Sequence, residues 1–223
     1  MKNKCNQSTR CCENQKKRNM HYFELKKCCR GGLMTILNKI PYIFEGMDWW
    51  LEFGTLLGFI RDGKIIDWDD DLDVGIMKES LTPENIEKIK KRSEEFGFFF
   101  EGIKENHLSR IYYSKMNSLH CDIWTFEKNK DNIIDAISPW TPAIHEESFT
   151  KNKDTLIIND KTYNIPSDVH EFLNIRYGYW QNPMRQKRSY RDGRLHIPKY
   201  IKDLDIKKIN DPTIFKNPPE HKY

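Results

Sequence analysis

Long apolar runs are absent from this 223-residue sequence. None approaches the roughly 20 residues that a helix needs to cross a bilayer. The opening "MKNKCNQSTRCCENQKKRNM" has no apolar core of the kind a secretory signal requires. With Met1 as the native start, the expected location is the cytoplasm; a start inside a longer chain leaves a luminal location open. No internal repeat is present, which argues against a solenoid or propeller. Strong net charge is missing too: 37 Lys and Arg against 33 Asp and Glu leave +4. So mild a balance argues weakly for phosphate-bearing partners and gives no ground for nucleic acid. Cysteine almost disappears after position 29. Five of the six (Cys5, Cys11, Cys12, Cys28 and Cys29) fall within the first 29 residues, and Cys121 stands alone. In a reducing compartment such crowding favours a metal over disulfides. Thiols in an unordered segment are the alternative.

The length suits one sizeable domain with a real core, plus a small accessory module. Residues 1–30 are charged, rich in Cys and poor in apolar content, so something else must order them. Gly31-Gly32 is expected to break the chain. "LMTILNKIPYIFEG" (33–46) carries helical apolar spacing, with Pro41 kinking or shortening the helix. "DWWLEF" reads as a short buried strand. Gly54-Thr55 opens a helix that runs through Arg61 and closes at Asp62-Gly63. "LDVGIM" reads as a strand, and Thr82-Pro83 caps a helix that stops at Gly97. "RIYYS" (110–114) and "SLHCDIWTF" (118–126) alternate as strands. Residues 155–165 form a hairpin turning at Asn159-Asp160, and 167–178 a capped helix. From Tyr179 onward the chain is Pro-rich and basic. This order predicts an α/β (α+β) domain with a mixed sheet flanked by helices.

The most informative stretch is "WLEFGTLLGFIRDGKIIDWDDDLDVGIM" (50–77). It sets four aspartates within six residues between apolar neighbours. Asp69 and Asp70 suit a solvated turn. Asp71 and Asp73, however, lie inside the apolar strand and share one face, while Leu72 and Val74 share the other. Two half-buried carboxylates side by side repel unless a cation lies between them. Hard oxygen donors favour Mg²⁺ or Mn²⁺. Asp122 shares a strand face with His120 and Trp124 and supplies a third carboxylate if its strand neighbours the first. Upstream, Gly54 permits close backbone approach, and Thr55 adds a hydroxyl at a helix N-terminus suited to an anion. A phosphate cradle beside a metal-binding Asp-x-Asp and a distant Asp is the layout of a phosphoryl-transfer site.

The motif from Gly54 to Asp73 resembles the LicD/fukutin family of phosphotransferases. Its elements are Gly54, Thr55, Leu56, Leu57, Gly58, Arg61, Ile65, Ile66, Trp68, Asp69, Asp71 and Asp73. "RIYYSKMNSLHCDIWTF" is similar to the fukutin-related branch, with Thr125 replacing that branch's proline, and "FLNIRYGYWQNP" (172–183) is similar to the family's closing segment. The resemblance spans about residues 28–183. It implies a nucleotidyltransferase-type fold over 31–183, followed by a basic extension (184–223). It also implies transfer of an alcohol phosphate, of ribitol-phosphate or phosphocholine type, from a CDP-alcohol to a glycan acceptor with release of CMP. On this carry-over Asp71, Asp73 and Asp122 hold Mg²⁺ or Mn²⁺, and Asp122 or Asp69 takes the acceptor proton. Arg61 and Arg110 contact phosphate, although surface ion pairing is an alternative for both. The same resemblance implies a structural Zn²⁺ site of Cys5, Cys12, Cys28 and Cys29, with Cys11 able to replace Cys12.

Other signals are weaker. His120 suits contact with phosphate or acceptor as well as it suits simple packing. Trp49, Trp50, Trp68, Trp124 and Cys121 fit a core. The basic run 184–200 fits a solvated tail better than a diphosphate clamp. Two rival functions stand beside the phosphotransferase. One is a nucleotidyltransferase that moves NMP from an NTP with release of pyrophosphate. The other is a non-catalytic glycan-binding scaffold, against which the intact Asp71, Asp73 and Asp122 speak.

Overall fold

The computed structural model describes residues 6–9, 27–102, 108–131, 133–136, 144–177 and 180–181. Cys5, Cys11, Cys12 and the extension 184–223 lie outside the described residues. Six helices are described: α1 (Lys27–Leu37), α2 (Ile40–Ile43), α3 (Phe53–Asp62), α4 (Pro83–Glu94), α5 (Ser148–Lys151) and α6 (Val169–Tyr177). The strands are β1 (Trp49–Leu51), β2 (Asp71–Met77), β3 (Phe99–Phe100), β4 (Leu108–Tyr112), β5 (His120–Lys128), β6 (Ile133–Ala136), β7 (Ile144–Glu146), β8 (Asp154–Ile158) and β9 (Lys161–Ile165).

Seven strands form one mixed sheet in the order β1-β2-β5-β4-β3, with β6 and β7 continuing from β5. β2 and β5 pair in parallel and the other described pairs are antiparallel. A parallel pair needs a crossover, and α4, β3 and β4 lie in the connection. Alternation sorts the two faces. Leu72, Val74, Ile76, Ile111, Cys121 and Ile123 are all buried and join Leu33, Ile36, Leu37, Ile40 and Ile89 in the main core. The chain has thus placed its apolar residues under α1, α2 and α4, and Asp71, Asp73, His120 and Asp122 on the opposite face.

Several elements differ from the reading of the sequence. The break expected at Gly31-Gly32 does not occur, because α1 runs through both. A Cβ on Gly32 would come 2.7 Å from Leu119 Cδ1, so this glycine lets the helix backbone press onto the sheet. Each glycine costs the helix about 1 kcal/mol against Ala, and the burial of Leu33, Ile36 and Leu37 offsets that cost. The single helix expected over 33–46 is instead α1 and α2, with Pro41 in the first turn of α2, where its missing N–H costs nothing. β3, β6, β7 and α5 add elements that two to four residues are too few to signal by period.

Two turns behave as their residues dictate. Gly63 closes α3 in the left-handed region with φ 65°. Asn159 and Asp160, at φ 48° and 60°, make the tight hairpin turn between β8 and β9.

β7 delivers His145 into an aromatic nest, with ring centroids 5.9 Å from Trp50, 5.6 Å from Phe126 and 5.3 Å from Phe172. Burial, helped by the nearby charges of Arg176 and Lys153, holds its pKa down to about 3. The folded state therefore keeps His145 neutral while the unfolded chain protonates near 6.5. Stability is present above pH 6.5 and is lost as pH falls from there toward 3. At pH 5, 1.5 units below 6.5, the loss from this group is about 2 kcal/mol. Urea unfolding at pH 7 and pH 5 should show the wild type losing about 2 kcal/mol more than His145→Phe; equal losses would refute the assignment.

Candidate active site

The site begins at the junction of β1 and α3. Glu52 N–H donates to the Asp73 carbonyl at 3.1 Å, and Thr55 Oγ1 accepts from Asp73 N–H at 2.7 Å. The buried Thr55 hydroxyl is thus engaged by β2. Both contacts fix the backbone that presents the Asp73 side chain.

Gly54 and Gly58 stand one helical turn apart, so they share a face of α3. After Gly63 the chain doubles back along that face. A Cβ on Gly58 would lie 2.7 Å from the Lys64 carbonyl, and one on Gly54 would collide with Asp69 Oδ2 and stand 3.6 Å from Asp73 Oδ2. The Gly-Thr-Leu-Leu-Gly pattern therefore reads as a contact surface for the returning segment. It brings Asp69 and Asp73 beside the positive end of the α3 dipole, where negative charge is favoured.

β2 and β5 run in register, with Asp71 opposite His120 and Asp73 opposite Asp122. Two i, i+2 pairs on parallel neighbours thus form a square on one sheet face. One ligand atom each from Asp71, His120 and Asp122 lies within 4.8 Å of the others. Asp73 stands beside this triplet and its Oδ1 accepts from Trp124 Nε1 at 2.9 Å. Asp122 Oδ1 accepts from Arg110 Nε at 2.7 Å and faces His120 Nε2 at 3.2 Å. On its other side, His120 Nδ1 meets the Ser118 carbonyl at 2.9 Å.

Electrostatics follow from this crowding. Burial, then the charges of Asp71, Asp69 and Asp122, push the Asp73 carboxyl well above the usual carboxylate range. Burial and Asp122 likewise raise Asp71. Burial works against a charged His120, but its hydrogen bond to Asp122 and the charges of Asp122 and Asp71 carry its pKa upward. Burial also works against Arg110, and the Asp122 bond and charge more than compensate. Clustered carboxylates with raised pKa values are suited to a divalent cation, which would relieve their repulsion.

Of the residues singled out from the sequence, Asp69, Asp71, Asp73, His120, Asp122 and Arg110 come together here, with Gly54 and Thr55 behind them. Arg61 does not join them by any described contact. It lies about 12 Å along α3 from Phe53 (at about 1.5 Å per residue), where it makes a two-point bond to Asp62 at 2.9 and 2.7 Å. Cys29 is buried on α1, Cys28 lies beside it, and Cys5, Cys11 and Cys12 fall outside the described residues.

The sequence reading missed a polar support behind the carboxylates. Glu52 is fully buried; its Oε2 accepts from Trp50 Nε1 at 2.5 Å and its Oε1 lies 2.9 Å from Arg176 Nη2. Gly75 makes room for this, since a Cβ there would meet Trp50 Cε2 at 2.5 Å. Arg176 also lies over the rings of Phe53 and Phe172, at 4.9 and 5.0 Å. Phe53 holds a left-handed φ of 41°, and its ring packs at a tilt of 59° against Trp124, centroids 4.8 Å apart. Non-Gly residues in that region are strained, and here the strain falls on the residue leading into the site. The one signal in the sequence was a lone acid inside the apolar "WWLEF", since buried acids are rare unless paired.

A family model described as LicD/FKTN/FKRP, nucleotidyltransferase domain, matches residues 46–168. The chain belongs to the LicD family. Ribitol 5-phosphate transferase FKRP of Homo sapiens is 37% identical over 106 residues, which are 44% of this chain and 21% of that protein. The uncharacterized protein RT0683 of Rickettsia typhi is 31% identical over 138 residues, 61% of this chain and 41% of that one. The chain thus spans about a fifth of the length of the human relative. Among solved structures, the lincosamide antibiotic adenylyltransferase LnuA, with lincomycin bound, is similar at a TM-score of 0.41 and 15% identity, over 68% of this chain and 86% of that one. Among the described residues, no helix is long and apolar enough to cross a membrane.

Proposed function

We propose that the chain transfers an alcohol phosphate, of the ribitol-phosphate type, from a CDP-alcohol to a glycan acceptor and releases CMP. The observation that carries this reading is the in-register facing of Asp71 and Asp73 with His120 and Asp122 in a LicD-family chain. The partial identity to a ribitol 5-phosphate transferase supports the choice of cargo.

The acceptor hydroxyl oxygen bonds to the phosphorus that carries the alcohol. The bond from that phosphorus to the oxygen shared with CMP breaks, and CMP leaves with that oxygen. The acceptor proton passes to Asp69 or Asp122. Arg110, anchored by Asp122 and partly open to solvent, is placed to reach a donor phosphate. Asp71, Asp73 and Asp122 would hold Mg²⁺ or Mn²⁺, which when bound neutralises charge on the diphosphate.

Mass spectrometry of products from CDP-ribitol or CDP-choline with candidate glycans tests the reaction. The expected result is CMP together with an acceptor heavier by one alcohol phosphate. Pyrophosphate from an NTP, with NMP on the acceptor, would replace this reading with a nucleotidyltransferase.

The cysteines complete the proposal with a structural Zn²⁺ held by Cys5, Cys12, Cys28 and Cys29. Metal analysis of reduced protein should find about one Zn per chain, and strong chelators should lower the melting temperature. Protein that is fully stable without zinc would end the idea.

A further inference from the structure

We infer that His120 supplies a nitrogen ligand to the cation of this site, and that the site therefore prefers Mn²⁺ over Mg²⁺. This rests on the metal-dependent transfer proposed above, and it adds a ligand that the aspartate motifs do not announce.

Position is the first argument. His120 stands opposite Asp71 across the parallel pair and two residues before Asp122 on the same strand face. Among the described residues, the triplet whose ligand atoms all approach within 4.8 Å is Asp71, His120 and Asp122, without Asp73. One oxygen of Asp73 is already engaged by the Trp124 indole.

The imidazole's orientation is the second argument. A carbonyl oxygen only accepts hydrogen bonds, so the 2.9 Å contact with Ser118 puts a proton on Nδ1. Nε2 is thereby the nitrogen turned toward the carboxylates, 3.2 Å from Asp122 Oδ1. Histidines that ligate metals characteristically donate their other N–H to a carbonyl or carboxylate, which fixes both tautomer and ring direction. His120 is only 7% exposed, and the Tyr112 ring packs 5.5 Å from it. The ring is therefore held in place before any ion arrives.

The chemical consequence concerns selectivity. Mg²⁺ binds through oxygen and keeps its waters, whereas Mn²⁺ binds more tightly than Mg²⁺ to sites that include imidazole. A His-x-Asp facing an Asp-x-Asp offers one nitrogen among oxygens. An imidazolium simply paired to Asp122 would offer the ion nothing.

Pulsed EPR on the full, untagged chain loaded with Mn²⁺ alone decides between these two. The expected signal is ¹⁴N coupling to the ion, converted to the ¹⁵N pattern when histidine is ¹⁵N-labelled. His120→Gln should remove the coupling and weaken Mn²⁺ binding by at least about tenfold, with a smaller change for Mg²⁺. The wild-type spectrum is informative even if His120→Gln folds poorly. Mn²⁺ bound without nitrogen coupling, or coupling that survives in a folded His120→Gln, overturns this assignment and leaves the proposed reaction standing. No Mn²⁺ or Mg²⁺ binding to the folded chain overturns both.

Discussion

Asp73→Asn is expected to lower turnover by at least about 10³-fold, the several kcal/mol that a correctly held cation supplies to phosphoryl transfer, while making the metal-free protein more stable. The two effects have one cause. Asp73 is buried on β2 beside Asp69, Asp71 and Asp122, and burial with those charges raises its carboxyl well above the usual range. An acid whose folded pKa is raised stabilises the fold below its unfolded value near 4 and loses that contribution as pH rises through the folded value. The gain from Asn should therefore be absent at low pH and largest at high pH. The side chain survives in shape, since Asn Oδ1 still accepts from the Trp124 indole that Asp73 engages at 2.9 Å. Thermal unfolding between pH 4 and 8, with and without Mg²⁺ or Mn²⁺, checks this alongside product assays. The cation should raise the wild-type melting temperature and leave Asp73→Asn nearly unmoved. A variant that loses activity only because it unfolds would refute the account.

Much of this site was legible because strand geometry obeys a period of two. "DDLDVGI" and "LHCDIW" each announce which residues share a face, whereas the parallel pairing and the register that sets Asp73 against Asp122 come from the fold, since a slip of two residues would keep the same faces. The α3 boundaries were equally legible, from Gly63 and from the apolar spacing between. Less visible was what the glycines serve. Gly54 was open to a ligand-cradle reading, whereas the space beside it and beside Gly58 takes the segment that returns to Asp69. Gly31 and Gly32 carry a low intrinsic helix propensity, which the tertiary packing of α1 overrides, with Gly32 set against Leu119. Propensity is local, and these are contacts between segments far apart in the chain. The same holds for Trp124, which fits a core by composition yet donates to Asp73 across the β2–β5 pair. Arg61 shows the converse case: its place in the motif suggests phosphate, and its described partner is Asp62.

Arg176→Met is expected to cost about 3–5 kcal/mol of stability, the range for removing one member of a buried ion pair. The reason lies with Glu52, which is fully buried and would keep only the Trp50 indole as a partner. Arg176 is itself 11% exposed in its side chain and meets Glu52 Oε1 at 2.9 Å, in a charge contact rather than an aligned hydrogen bond. Its guanidinium is flanked by Phe53 and Phe172, so the substitution also removes two cation–π contacts. The pair ties α6, which begins just beyond the family-matched segment 46–168, to the residue that precedes the strained Phe53. If unpaired charge is the cause, neutralising the partner should relieve it. Glu52→Gln with Arg176→Met should recover most of the loss, because Gln retains an acceptor for Trp50 and carries no charge. Arg176→Lys should fall between, keeping charge without the planar stack. Denaturant unfolding of the wild type, Glu52→Gln, Arg176→Met and the double variant closes the cycle. Additive losses, with the double variant as unstable as the sum of the singles, would mean that the two side chains act independently and that α6 is held by its apolar face alone.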